Sequence, residues 1–294
     1  MPATAVGTGP VLTGEGNGVA AVVELTYYPV KGCAGITVAE AEAGAAGLAH
    51  DRSFMVVGED GVYRTQRRHP RLALITPEVG EDGGRLALRA PGAGEVRVTV
   101  DVGGARRDVT LFGEPFRGID QGDEVAAWLT AVLGEPSRLV RVPPEHHRVT
   151  DGRIPGTSGY ADSCALLVVS RASLDLLNLR LGEQGAPPLP MARFRPNIVI
   201  GGWDEPHTED RVLHLTLGGA EFGYAKLAVR CAVTVVDQET GVRSGPEPLR
   251  TLARYRRSRD SGGIVFGAKF AVLRPGKVSV GDEAVVGEWG AAEL

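Results

Sequence analysis

The 294 residues carry 32 basic and 36 acidic side chains, for a net charge of −4, and 43% of them are hydrophobic. That balance suits a folded chain with its own core and leaves no global basic field for nucleic acid. Three scattered cysteines (Cys33, Cys164 and Cys231) and six histidines without ligand spacing argue against a disulfide framework and a His-based zinc hydrolase.

Residues 1–18 are Gly-rich, with no basic start and no apolar run long enough for a signal peptide or a membrane span. They read as a disordered leader, with the cytoplasm as the compartment and no membrane partner. Short strands separated by Gly-rich turns follow at 19–30, 36–43, 53–57, 72–79, 85–88, 95–101 and 108–112. Arg85-Leu-Ala-Leu88 and Arg97-Val-Thr-Val100 show the two-residue alternation of half-buried strands. A helix is expected over 121–133, capped by Asp120, with Val125, Trp128, Leu129 and Val132 on one face and Gly134 and Pro136 ending it.

A loop at 142–158 precedes a buried strand at 164–169, and Ser170 caps a second helix to about residue 181. Strands are then expected at 197–200, 212–217, 228–236, 264–273, 278–280 and 284–286. A helix over 246–256 interrupts them, with Pro in its first turn. The pattern is a β-rich α+β chain, divided at residues 19–142 and 143–288.

Four segments set a cation or thiol beside a turn or strand end. Tyr28-Pro-Val-Lys-Gly-Cys33 places Lys31 before Gly32, where backbone N–H groups can approach an anion; a lysine at a strand end is also commonly just solvated. His50-Asp-Arg52 opens a strand with Arg52, whose plain alternative is a salt bridge to Asp51 or a neighbour. Phe194-Arg-Pro-Asn-Ile198 uses Pro196 to fix the backbone between Arg195, a fork suited to phosphate, and Asn197. In Arg230-Cys-Ala-Val-Thr-Val235, the residues Cys231, Val233 and Val235 would share a strand face as core. The neighbouring Arg230 instead favours a thiolate able to hold a soft metal.

Taken in order, Tyr28-Pro-Val-Lys31, Asp51-Arg52, Ala161-Asp-Ser-Cys164, Phe194-Arg-Pro-Asn-Ile198, Arg230-Cys231, Val236-Asp-Gln-Glu-Thr-Gly241, Phe266-Gly267 and Val280-Gly-Asp282 resemble one family. It is the MOSC-domain proteins with an N-terminal MOSC β-barrel domain, particularly the amidoxime reducing components. The resemblance spans roughly residues 20–287 and implies two β-barrel-like domains with a molybdenum–molybdopterin cofactor in the cleft between them. It makes Cys231 the catalytic thiol and protein ligand to molybdenum. Lys31, Gly32, Arg52, Asp162, Ser163, Arg195, Asn197 and Arg230 would surround the pterin and its phosphate. The implied activity is reduction of N-hydroxylated compounds (amidoximes, hydroxylamines, N-hydroxylated bases) with electrons from a separate ferredoxin or flavoprotein. The alternative is a non-redox cofactor or sulfur carrier in which Cys231 bears a persulfide or merely binds the cofactor. Gly32 and Val229 stand where the eukaryotic amidoxime reducers are expected to have hydroxyl residues.

Overall fold

The computed structural model describes residues 19–294; the leader assigned to 1–18 lies outside them. Strands dominate, as the alternation of the sequence implies. The largest sheet has eight strands, ordered Ala284–Trp289, Val212–Leu217, Ala220–Val229, Val265–Arg274, Leu166–Ser170, Ile198–Gly201, Ala21–Tyr27 and Ile36–Thr37. Within it Leu166–Ser170 and Ile198–Gly201 run parallel. Parallel neighbours need a crossover, which the helix Arg171–Gly182 supplies, and Ser170 Oγ caps that helix by accepting from Ser173 N–H. Leu174, Leu177 and Leu181 bury the helix against Val169, Val199 and Phe266.

A second sheet is ordered Arg106–Leu111, Glu114–Asp120, Arg138–Arg141, Phe54–Val57 and Val30–Lys31. A three-stranded meander, Thr76–Val79, Arg85–Ala90 and Gly94–Thr99, closes over it, and the helix Asp123–Leu133 plugs the space with Val125, Leu129 and Val132. The two halves are stitched by the first strand. Ala21–Tyr27 pairs antiparallel with Ile198–Gly201, yet three residues later Val30–Lys31 pairs with Phe54–Val57 in the other sheet. The segment around Tyr28 therefore passes from one sheet to the other, and it does so beside the cleft described below. Among the described residues no helix is long and apolar enough to cross a membrane.

Several local expectations change. Residues 72–79 are not one strand: Pro70 opens a 3-10 turn through Leu74 before the strand Thr76–Val79, as a fixed proline φ at a first helical position favours. Asp120 does not cap the helix that follows. Its carboxylate is taken by Arg138 and by the N–H of Gly122, which itself occupies the cap position without a side chain. The helix expected over 246–256 is α-helical only over Leu249–Leu252. Strands at Glu114–Asp120 and Arg138–Arg141 were not expected at all.

The most consequential change concerns 228–236. The strand ends at Val229; the Arg230 N–H still reaches the Ile264 carbonyl, and a 3-10 turn occupies Ala232–Val235. Thr234 drives the break, because its N–H and Oγ both donate to the Cys231 carbonyl at 3.0 Å, a local bond that competes with the sheet ladder. Cys231, Val233 and Val235 therefore share no strand face, and the argument that made Cys231 a core residue falls away.

Candidate functional site

An open cleft lies between the two sheets. Every residue singled out in the sequence lines it: Lys31, Gly32, Arg52, Asp162, Ser163, Arg195, Asn197, Arg230 and Cys231. They come from five separate stretches of chain. Seven cations line the cleft (Lys31, Arg52, Arg64, Arg67, Arg195, Arg230 and Lys269) against one carboxylate, Asp162. In a chain of net charge −4, this concentration marks the cleft as a place for an anion.

Around Tyr28 the side chains form a closed network. Asp51, buried, accepts from the Tyr28 N–H at 2.7 Å, from Arg52 Nη1 with both oxygens at 2.5 Å, and from Asn197 Nδ2 at 3.1 Å. The salt bridge weighed for Arg52 thus exists, and it holds the guanidinium at the cleft wall. Arg52 and Arg195 each lie 4.2 Å from the Tyr28 ring centroid, within cation–π range. Arg195 also donates to the Cys33 carbonyl at 2.7 Å and to Gln238 Oε1 at 3.1 Å. Gln238 and Gln66 exchange amide hydrogen bonds, and Gln66 donates on to the Gly32 carbonyl.

Asn197 is 2% exposed, and its amide is engaged inside the protein. Its two N–H groups go to Thr26 O and Asp51, and its oxygen accepts from Leu167 N–H. It borders the cleft chiefly as a fastener between the first strand, Asp51 and the central strand. Gly32, at φ +84, takes a left-handed turn that a side chain would strain.

Elsewhere in the cleft the groups are less committed. Lys31 pairs with Asp162, whose side chain is 64% exposed while that of Lys31 is 9% exposed. Desolvation would raise the Asp162 carboxyl, but Lys31 and Lys269 outweigh it and hold the group well below the usual carboxylate range. Burial lowers Lys31, Arg195, Arg230 and Lys269 from their ordinary values. Each is a cation kept at a desolvation cost that an incoming anion would offset. Lys269 Nζ donates to Ser163 Oγ at 2.5 Å and has no carboxylate within salt-bridge distance among the described residues. Arg230 donates through Nη2 to Phe194 O at 2.7 Å, while its Nε is buried with no partner among the described residues. Cys231 is partly exposed, and its Sγ makes no hydrogen bond among the described residues.

Five non-glycine residues among those described have a left-handed φ, and three of them, Arg52, Phe112 and Arg195, line this cleft. Such conformations cost free energy and concentrate at functional sites. Lys269, Arg64, Arg67, Gln66, Tyr63 and Phe112 escaped the sequence reading. Their local patterns are those of ordinary strands and turns, and only the docking of the two sheets brings them together. The one available signal was a cation inside an otherwise apolar strand, Phe266-Gly-Ala-Lys-Phe-Ala-Val272.

No group of three or more metal-ligating side chains occurs among the described residues. A metal held here would have to bring most of its ligands, with one open thiol to complete them. An anionic, sulfur-rich chelate with a phosphate meets that condition. The cations suit its charge, Cys231 Sγ suits a soft metal, and the orphaned Arg230 Nε lacks the acceptor such a group would supply.

Comparison with known proteins agrees with this chemistry. The model of the MOSC N-terminal beta barrel domain matches residues 19–136, and that of the MOSC domain matches residues 155–285. The chain is 35% identical to mitochondrial amidoxime-reducing component 1 of Homo sapiens over 283 residues, which cover 90% of this chain and 82% of that protein. It is likewise 35% identical to mitochondrial amidoxime reducing component 2 of Rattus norvegicus, with the same coverage of both. A molybdenum cofactor sulfurase of Danio rerio is 34% identical over 85% of this chain, which spans 32% of that longer protein.

Proposed function

We propose that this chain, which belongs to the MOSC-domain family with an N-terminal MOSC β-barrel domain, is a molybdenum-cofactor oxidoreductase that reduces N-hydroxylated small molecules. The observation that carries the reading is the convergence of an unengaged Cys231 thiol with seven cations in one cleft. Support also comes from the printed names of its relatives, amidoxime-reducing components and a molybdenum cofactor sulfurase.

The bound group would supply a metal centre that exchanges two electrons and takes up an oxygen atom. The protein would do the rest. Lys31, Arg52 and Arg195 would hold the phosphate, two of them already oriented by Asp51, Tyr28 and Gln238, so little order is lost on binding. Arg230 would neutralise the sulfur ligands beside Cys231, which would complete the metal's coordination. Asp162 and Ser163 would line the pterin side, with Asp162 leaving Lys31 as the anion arrives. Because Asp162 is held ionised by Lys31 and Lys269, it would not serve as a proton donor at neutral pH. The overall change, R–NH–OH plus two electrons and two protons giving R–NH2 plus water, requires an electron source. A separate ferredoxin or flavoprotein fills that place in this reading. Three free cysteines suit a reducing compartment such as the cytoplasm.

The second reading, a cofactor or sulfur carrier, draws on the sulfurase match, which covers both domains. One assay separates the two. Protein purified from a cofactor-competent host should oxidise reduced viologen when given an amidoxime or hydroxylamine. Molybdenum-loaded protein that turns over no N-hydroxylated compound would point to the carrier instead.

A further inference from the structure

At the mouth of the same cleft the hairpin of Arg106–Leu111 and Glu114–Asp120 turns on two residues, Phe112 and Gly113. Leu111 and Glu114 are paired across it, with φ +55 at Phe112 and +87 at Gly113. A two-residue turn with both central φ values positive favours Asn-Gly, Asp-Gly or Gly-Gly. A bulky aromatic in the first position is strained. Nor does burial justify it, since Phe112 is 45% exposed. Local folding preference and core packing therefore both fail to explain the residue.

Its surroundings suggest what does. Phe112 lines the cleft beside Tyr63, ring centroids 5.0 Å apart. The Tyr63 hydroxyl is fixed by Arg67 Nη2 at 2.8 Å. The Lys31 ammonium sits 4.9 Å from the Phe112 centroid and 5.7 Å from that of Tyr63. The two rings thus form an aromatic wall beside the Lys31 ammonium, in a cleft that carries six further cations. Flat π-systems pack well on such walls, whereas small aliphatic groups gain much less.

We propose that Phe112, backed by Tyr63, is a specificity-determining platform that selects substrates whose N-hydroxylated group is attached to a planar aromatic or heteroaromatic ring. This rests on the reductase reading above and adds the substrate class. The occupant is a small molecule: the wall is two rings wide, with centroids 5.0 Å apart, and Lys31 ties it to the anion site.

The test uses the cofactor-loaded chain, reduced methyl viologen as donor, and two substrates, benzamidoxime and acetamidoxime. Phe112→Asn restores the preferred turn residue, so its melting temperature should equal or exceed that of the wild type. Its KM for benzamidoxime should rise about five- to tenfold relative to its KM for acetamidoxime. Phe112→Tyr should keep the wild-type preference. A parallel measurement needs no turnover: saturation-transfer NMR with oxidised protein and benzamidoxime should show ring contacts in the wild type and their loss in Phe112→Asn.

Equal changes for both substrates, or none, would overturn the platform. So would a Phe112→Asn protein that slows only when a protein donor replaces viologen, since the wall would then be a partner surface. If the wild type reduces neither substrate, the reductase reading fails. The NMR arm then decides the platform by itself: ring contacts that Phe112→Asn removes support it, and their absence in the wild type sinks it.

Discussion

Around Tyr28, each charged side chain is tied down by others. Asp51 is shared among Arg52, Asn197 and the Tyr28 N–H, Arg195 has two protein acceptors, and Asn197 closes the network. Around Cys231 the opposite holds among the described residues: the thiol makes no hydrogen bond, Arg230 Nε has no partner, and Lys269 has only a neutral hydroxyl. One part of the cleft is a finished scaffold, and the other is a set of groups awaiting a partner. The difference suggests how a cofactor site is divided: positioning is settled on folding, and the ligating chemistry is left open.

The comparison can be broken at several points. Cys231→Ala should act on function without touching the fold. Activity with viologen and an amidoxime should fall by more than about a hundredfold, the scale on which even the outer partners of a metal ligand act, while the melting curve stays put. A matching loss of stability would mean Cys231 belongs to the packing after all.

Asp51→Asn should behave in reverse. It leaves the Arg52 guanidinium, with a side chain 14% exposed, without its salt-bridge partner, and should destabilise the protein by about 3 kcal/mol in denaturant titration. Removing a negative charge would by itself strengthen phosphate binding to the cleft. Weaker phosphate binding by the cofactor-free variant would therefore isolate the positioning role of Asp51, and stronger binding would deny it.

Asn197→Ala should cost about 2 kcal/mol, because the Leu167 N–H and the Thr26 carbonyl lose a buried partner. The measurement is again an unfolding midpoint, with hydrogen exchange at Leu167 as the local reporter.

The smallest expected effect is on pH. Asp162 has a folded-state pKa below its unfolded value, so its contribution to stability is present above the ordinary carboxylate range and is lost as pH falls through the depressed folded value. The Lys31–Asp162 pair should therefore hold from neutrality down past pH ~4, and Asp162→Asn should flatten the acid limb of the stability curve. An identical acid limb in the variant would show that the pair contributes nothing, as many partly exposed ion pairs do.

Legibility in the sequence followed the same division. Elements set by local signals were readable: the strand Val212–Leu217 by alternation, the helix Arg171–Gly182 by its Ser170 cap, the helix Asp123–Leu133 by its apolar stripe. Glu114–Asp120 was hidden because Pro115 and Gly118 break the strand pattern, although pairing on both sides holds it in the sheet. The run at 228–236 looked like a strand by composition, and a 3-10 turn whose Thr234 N–H and hydroxyl both bond the Cys231 carbonyl replaces its second half. The nine site residues carried motifs in order, so resemblance reached them. Lys269 and Tyr63 carried none, and only the crossing of the chain at Tyr28 puts them in the same cleft. Phe112 was visible as a strand end but not as a strained one, since φ is not written in residue type.

The claim beneath all of this is that Cys231 is a metal-ligating thiol in a site built for an anionic molybdenum cofactor. It is tested most directly by the molybdenum content of protein purified from a cofactor-competent host, wild type beside Cys231→Ala. About one molybdenum per chain is expected in the wild type, with almost none in an equally folded variant. A wild type free of molybdenum, or a variant that keeps as much as the wild type, would contradict it.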